Sequence, residues 1–414
     1  MIFFIYQILL SIILCFSPVI VIIRIIKNKE DKFRFKEKFC LFSKKRGSGK
    51  LIWFHGSSVG EILSVVPIIK KYENDKSISK ILITSSTLSS SKVLEKIKFK
   101  KTIHQFYPID HVFFSKKFLN HWKPDVAIFL ESEIWPSMFK SIKNKNILLI
   151  LLNARITKKS FDRWNKVKKF SNSIFSLVDK AYSQNLETNY YLKKLKVKNI
   201  KSTGNLKFIE HDSFETNQAD KKLFSQFRKY KTFVAASTHN TEELFAAKTH
   251  ILLKKKIKNM ITIIIPRHIN RVNQIISQID ELELNAISRK SNKKKLDNID
   301  IYIVDTFGES KKFYKFATTV FLGGSIINRG GQNPLEPARF GAKILHGPNI
   351  NNFRDVYKYL NQLKISSTIN TPKQCANSIV FKKNMKKAKK MKYLGTTILK
   401  KTLNELDRSI HNEI

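Results

Sequence analysis

Acidic residues are scarce in this chain. Asp and Glu total 32 against 77 Lys and Arg, a formal net charge of +45. The excess is mostly Lys and runs along the whole length, so by itself it favours neither nucleic acid nor an anionic membrane over plain solvation of charged faces. No module interleaves basic residues with aromatics, which argues against nucleic acid as a partner. Cysteine is scarcer still. Cys15, Cys40 and Cys375 are scattered and make no CxxC pair, which argues against a disulfide scaffold or a zinc ribbon and fits a reducing compartment. Neither a GxGxxG fingerprint nor a P-loop is present, which disfavours NAD binding and ATP hydrolysis. No Asp-x-Asp element follows a candidate strand, so metal-dependent sugar transfer lacks its usual ligands; no metal and no cofactor is expected. What remains is 414 residues, 42% hydrophobic and 26% charged, enough for two ordinary domains and unlike a disordered or fibrous protein.

The segment Ile2–Ile23 carries no charge. As a helix it reaches about 33 Å, close to the hydrocarbon thickness of a bilayer. A cleaved signal peptide wants a basic start, a shorter apolar core and a small-residue cleavage site, none of which is present. Arg24, Lys27, Lys29, Lys32, Arg34, Lys36 and Lys38 follow. Positive charge marks the cytoplasmic side, so the expectation is a single-pass anchor over 1–26 with the body in the cytoplasm.

From Leu51 on, short apolar runs alternate with longer amphipathic stretches, as in parallel sheets built from βαβ units. Strands are expected at Leu51–Phe54, Ile81–Thr84, Val126–Leu130, Ile147–Leu152 and Ala181–Ser183. A second series is expected at Phe233–Ala236, Ile261–Ile265, Ile301–Val304, Thr319–Leu322 and Ile344–His346. The polar stretch Phe208–Leu223 reads as a linker. The organisation predicted is α/β, two doubly wound Rossmann-like domains over 27–212 and 213–385 facing a cleft. A basic helical tail over 386–414 reads equally as a packed closing helix or a membrane-surface helix. In such sheets ligands sit beyond the carboxyl ends of the strands.

The unusual residues cluster at those ends. His55-Gly-Ser-Ser-Val-Gly-Glu61 places Glu61 at a helix N-terminus, where a carboxylate is also favoured simply by the helix dipole. Glu131-Ser-Glu133-Ile-Trp135-Pro136 puts two carboxylates, two apart on an expected extended segment, beside a Trp. It reads as a sugar-binding edge or as a loop whose Trp packs on the core. Asn153-Ala-Arg155 and Gly204-Asn-Leu-Lys207 add polar groups after further apolar runs. In the second domain, Ser237-Thr-His239 with Glu242 and Glu243, Pro266-Arg267-His268, Asp305-Thr-Phe307-Gly308-Glu309, Gly323-Gly-Ser325 and Gly330-Gly-Gln-Asn333-Pro334-Leu335-Glu336 take the same places. An Arg suits a phosphate, and glycines followed by a helix start describe a nucleotide-phosphate cradle. Glu336 is placed to accept hydrogen bonds from a ribose diol.

The ordered motifs HGSSVGE, ESEIWP, LNAR, GNLKF, ASTHNTEE, PRH, DTFGE, GGS, GGQNPLEPA and GPNINNF closely resemble the 3-deoxy-D-manno-octulosonic acid (Kdo) transferases of lipopolysaccharide inner-core synthesis. That resemblance implies the GT-B fold, CMP-Kdo as donor, and a lipid A precursor (lipid IVA) as acceptor at the cell inner membrane. It also implies inversion at the anomeric carbon without a metal. Glu61 matches the family's general base, and Glu131 and Lys207 match positions that stabilise the transition state. CMP is expected against Pro266, Arg267, Phe307, Gly308, Glu309, Asn333, Pro334, Leu335 and Glu336. The departures are Gly56-Ser57 before the SVGE, Ser137 for Asn, Asn240-Thr241 for a Pro-Gly pair, and Gln332 for His; none removes a catalytic group. Acceptor, donor and membrane are all anionic, so the basic stretches Arg24–Lys50 and Lys92–Lys101 are expected to face anionic inner-membrane lipids. The alternative is another GT-B envelope glycosyltransferase, one that releases UDP.

Overall fold

The computed structural model describes residues 2–209, 224–291 and 296–412, and they divide into two compact units. Met1–His211 together with Leu394–Ile414 form unit 1, and Asp212–Tyr393 form unit 2. Most of the expected linker, 210–223, lies outside the described residues.

Unit 1 is built on a seven-stranded parallel sheet in the order β3-β2-β1-β4-β5-β6-β7. The strands are β1 (Leu51–His55), β2 (Lys80–Ser85), β3 (Thr102–Phe106), β4 (Val126–Leu130), β5 (Leu148–Ala154), β6 (Lys180–Ser183) and β7 (Asn199–Ser202). Unit 2 has a second parallel sheet of seven, in the order β10-β11-β9-β8-β12-β13-β14. Its strands are β8 (Lys231–Thr238), β9 (Met260–Pro266), β10 (Ala286–Ser288), β11 (Ile301–Ile303), β12 (Thr319–Leu322), β13 (Lys343–His346) and β14 (Ser366–Thr368). The central strands β1, β4, β9 and β12 are buried at every residue, because helices cover both faces of a parallel sheet.

All ten expected strands are present, and four more were not foreseen: β3, β7, β10 and β14. These four are the edges of the two sheets. β7 alternates between exposed and half-buried, so it lacks the continuous apolar run that reveals a central strand.

The order in which strands are added reverses between β1 and β4 in unit 1, and between β8 and β12 in unit 2. Such switch points leave a crevice at the carboxyl ends of the strands. Each sheet also carries one register shift beside its switch strands, at Asn153 in β5 and at Ser237 in β8, with φ of 54° and 55°.

Ile2–Ile26 forms one apolar helix, long enough to cross a bilayer, with a mean hydropathy of 2.7. At the other terminus the C-terminal part of the helix Met385–Asn412 packs on unit 1, while Lys386, Lys389, Lys390 and Lys392 near its start are exposed. Tyr182 Oη lies 2.8 Å from Ser409 Oγ, Lys71 Nζ 2.6 Å from Asp407, and Lys201 Nζ 2.7 Å from Glu405. A side chain at Gly395 would sit 2.4 Å from the Phe208 carbonyl, so this position holds glycine to let the helix press on the turn that bears Lys207.

Candidate functional site

At the unit 1 switch point, β1 ends in His55 and the chain turns through Gly56-Ser57-Ser58 into the helix Val59–Glu73. Ser58 caps that helix: its Oγ accepts from the Glu61 amide at 3.3 Å and donates to Glu61 Oε1 at 2.8 Å. Glu61 Oε2 accepts from the Ser57 amide at 2.8 Å. The Ser-x-x-Glu spacing is that of a capping box, but the glutamate reaches the amide one residue before the cap. Glu61 is nonetheless poorly suited to its charge. Burial, then the charges of Glu133 and Glu131, raise its carboxyl to about 7 against the lowering effect of the two serines. A carboxylate in that range can take up a proton near neutral pH.

Glu133 is held differently. Its Oε2 accepts from Ser57 Oγ at 2.6 Å, from Trp135 Nε1 at 2.9 Å, and from His55 Nε2 at 3.2 Å. The other ring nitrogen of His55 meets Thr84 Oγ1 at 2.9 Å, and that hydroxyl already accepts from Trp53 Nε1 at 2.8 Å. Thr84 Oγ1 thus links the Trp53 and His55 rings, and His55 in turn faces Glu133 through Nε2. Burial pushes the His55 imidazole below its ordinary value. Burial also pulls Glu133 up, but its three donors win and hold the carboxyl below the usual range.

The two carboxylates after β4 do not lie on an extended segment, as the spacing suggests. Glu131 has a left-handed backbone, with φ of 51°, and the chain turns there. Its Oε1 pairs with Lys207 Nζ at 2.6 Å. Lys207 is placed by Asn153 and Asn205: Asn153 Oδ1 accepts the Leu206 amide at 3.0 Å, and Asn205 Oδ1 accepts the Lys207 amide at 2.9 Å. The register shift at Asn153 thus aims the turn that carries the lysine. Trp135 takes the second of its two readings, half-buried against the core with its ring 5.2 Å from Tyr107. Glu61, Glu131 and Lys207 come together as expected; the His55–Glu133–Ser57 network joins them and was missed as a unit.

In unit 2 one expectation is overturned. The amides of Gly324, Ser325 and Ile326 are not an open phosphate cradle. The fully buried Glu242 fills it, its Oε2 accepting from Gly324 at 2.6 Å and its Oε1 from Ser325 and Ile326 at 3.1 and 3.0 Å. Oε2 also accepts from the His239 amide at 3.0 Å, so this carboxylate clamps the ends of β8 and β12 together. Gly323 is required there: a Cβ would lie 2.5 Å from the Ser237 carbonyl.

The positive field stands beside this clamp. Burial, then the charges of His268, Arg329, Arg267 and Arg271, push the His239 imidazole below its ordinary value. Arg267 and Arg329 are exposed, and Arg329, Gln332 and His239 all lie close to where a side chain at Gly324 would start, 3.4, 3.4 and 3.5 Å from the position of its Cβ. Pro266 ends β9 and Arg267 follows it, while Phe307, Gly308 and Glu309 follow the neighbouring strand β11. Phe307 is 80% exposed, and Gly308 has φ of 82° with open space where a side chain would be. Glu309 is occupied within the unit, pairing with Arg289 at 2.5 Å and Lys312 at 2.7 Å. Those partners and Thr306 hold its carboxyl low against the effect of burial. Asn333 Oδ1 accepts from the Leu335 amide at 3.0 Å and starts the short helix Leu335–Arg339, with Pro334 at its cap and Leu335 buried. Glu336, at its first turn, lies 3.9 Å from Lys311, which brings the 306–309 and 333–336 loops together. Among the described residues no group of three or more His, Cys, Asp and Glu is arranged to hold a metal ion.

Residues 33–210 match the family model described as 3-deoxy-D-manno-octulosonic-acid transferase. The chain is 34% identical over 364 residues to the 3-deoxy-D-manno-octulosonic acid transferase of Rickettsia bellii, covering 88% of this chain and 86% of that protein. It is 26% identical to the Haemophilus influenzae protein of the same name, over 80% and 79% of the two chains. Among solved structures, a UDP-N-acetylglucosamine 2-epimerase superposes with a TM-score of 0.55 at 11% identity, over 89% of this chain and 97% of that one. Anabaena Alr3699/HepE, in complex with UDP and glucose, superposes at 0.53, also 11% identical, over 88% and 100%. At that identity the likeness concerns the fold, which is GT-B-like.

Proposed function

The chain belongs to the 3-deoxy-D-manno-octulosonic acid transferase family, and from that premise we propose that it moves Kdo from CMP-Kdo to a lipid A precursor by direct displacement, with Glu61 as general base. The acceptor's sugar hydroxyl attacks the anomeric carbon. Its proton passes to Glu61, the new C–O bond forms, and the bond to the CMP phosphate breaks with its electron pair leaving on CMP. Attack from the face opposite the leaving group inverts the centre.

One observation carries this reading. Unit 1 gathers Glu61, Glu131, Glu133 and Lys207 at its switch point; Glu61 is raised toward neutrality, Glu133 is held low by its donors, and Glu131 is paired with Lys207. The other two carboxylates have dedicated partners. Lys207 brings a positive charge to the site and Glu131 a negative one near the oxocarbenium-like centre.

Unit 2 supplies the donor side. Arg267 and the neighbouring His239, His268 and Arg329 suit a nucleotide phosphate, while Phe307-Gly308 and Asn333-Pro334-Leu335-Glu336 offer an exposed ring, an open backbone and a carboxylate for base and ribose. Attachment to the inner-membrane leaflet through the apolar N-terminal helix brings the body to its lipid acceptor. The test is CMP release and lipid mass after incubation with CMP-Kdo and a tetraacylated lipid A precursor. Release of UDP from a UDP-sugar instead, with no CMP from CMP-Kdo, overturns it.

A further inference from the structure

Length and hydropathy make Ile2–Ile26 a spanning segment, yet both of its ends are fastened to unit 1. Near its start, Tyr6 Oη donates to Asp110 Oδ2 at 2.7 Å, Gln7 Nε2 to Ser137 Oγ at 2.7 Å, and the Val112 amide to Gln7 Oε1 at 3.2 Å. Near its end, Arg24 pairs with Glu30 at 3.0 Å, and Glu30 with Lys38 at 2.7 Å. Arg34, a few residues on, donates to the His104 carbonyl at 2.9 Å. Tyr6 and Arg24 are separated by about 27 Å of helix, close to the thickness of the hydrocarbon core. A helix crossing the bilayer would carry the Tyr6 end to the far side and strip Asp110 and Ser137 of these partners.

The shielding follows the same line. Gln7, Leu10, Leu14, Ser17, Val21 and Arg24 are half-buried or buried, and their alternating three- and four-residue spacing makes one continuous stripe. The opposite face, with Phe4, Ile8, Ile12, Phe16, Val19 and Ile23, is exposed and wholly apolar. Phe113, beside the docked end, and Phe33, beyond the other, are 60% and 86% exposed. Lys27, Lys29, Lys32 and Lys36 are exposed as well, whereas Arg24, Arg34 and Lys38 are committed to Glu30 and Glu37.

We infer that this helix does not span the membrane but lies in its plane, with the stripe on unit 1 and the outer face in the headgroup–acyl boundary of an anionic leaflet. Phe33, Phe113 and the free lysines flank the contact, as in interfacial helices. The docked end touches the chain just after the site: Ser137 follows the Glu133–Trp135 segment, and Asp110 follows Tyr107, whose ring stacks on His55 at 3.8 Å. An in-plane helix therefore seats the Glu61–Glu133 region directly on the surface from which a lipid acceptor comes.

The inference rests on the membrane attachment proposed above, and two measurements separate the readings. In inverted membrane vesicles holding the full chain, a membrane-impermeant maleimide is applied to Ile2→Cys/Cys15→Ser and to Lys145→Cys/Cys15→Ser, the latter marking the side of the body. Equal labelling of both without detergent is expected; labelling of position 2 only after detergent, with position 145 already labelled, overturns the proposal. In the unaltered chain, Cys15 is exposed while Cys40 and Cys375 are buried, so a thiol fluorophore reports on the middle of the helix. Nitroxides near the headgroup should quench it more than nitroxides near the chain ends, and the reverse order contradicts an in-plane helix. Failure of the chain to sediment with vesicles of phosphatidylethanolamine and phosphatidylglycerol removes the attachment itself, and this inference with it.

Discussion

Lys207 Nζ stands 2.6 Å from Glu131 Oε1, with 18% and 8% of the two side chains exposed, and the pair ties the turn after β7 to the end of β4. Removing one member of such a pair leaves the other charge poorly solvated, which costs about 3–5 kcal/mol for a buried pair. Lys207→Met should therefore destabilise unit 1 by about 3 kcal/mol in urea unfolding. The double variant Lys207→Met/Glu131→Gln should recover most of that loss and still turn over poorly. A double variant with wild-type turnover would assign the pair to stability alone.

The pH dependence has a definite sign. Glu61 works as a base only when ionised, so kcat/KM should rise with pH through about 7. The charge of Glu133 helps raise Glu61, so Glu133→Gln should move that rise to lower pH, and an unmoved limb would separate the two residues. The same group bears on folding. A carboxyl raised in the folded state contributes stability that is full below its unfolded value and is lost as pH rises through about 7. Glu61→Gln should thus match the wild type in Tm at about pH 4 and exceed it at about pH 8.

Glu242 accepts from four backbone amides at the ends of β8 and β12. Buried donors left without a partner cost about 1–3 kcal/mol each. Glu242→Ala should unfold unit 2 at markedly lower urea concentration, by at least about 3 kcal/mol. Glu336→Gln, at a half-buried carboxylate 3.9 Å from Lys311, should leave the urea midpoint almost unchanged and weaken CMP binding measured by calorimetry.

Much of this was readable from the sequence because central parallel strands are buried on both faces and so appear as apolar runs. Ile81–Thr84 and Val126–Leu130 are such runs. β7, with exposed Asn199 and Lys201, is an edge and carries no such signal. Glu61 and Glu131 were visible because each follows a foreseen strand, as ligand-facing residues do in these sheets, whereas Lys207, after the unforeseen β7, was visible through its GNLKF motif. The split between Glu131 and Glu133 was not visible, because it depends on the left-handed turn at Glu131, a conformation that nothing in its residue type announces. Gly323-Gly-Ser325 read as a cradle for a phosphate, since a glycine-rich turn looks the same whether a ligand or the protein's own carboxylate fills it. Only the fold brings Glu242 there.

The central claim is that Glu61 takes the acceptor's proton. The most direct measurement is turnover of wild type and Glu61→Gln side by side, with CMP-Kdo, a tetraacylated lipid A precursor and EDTA, following CMP release and lipid mass. The account predicts Kdo addition by the wild type despite the chelator and a loss of about 10²–10⁴-fold in kcat for the variant, with CMP affinity unchanged. A Glu61→Gln protein that turns over within a fewfold of wild type would contradict it.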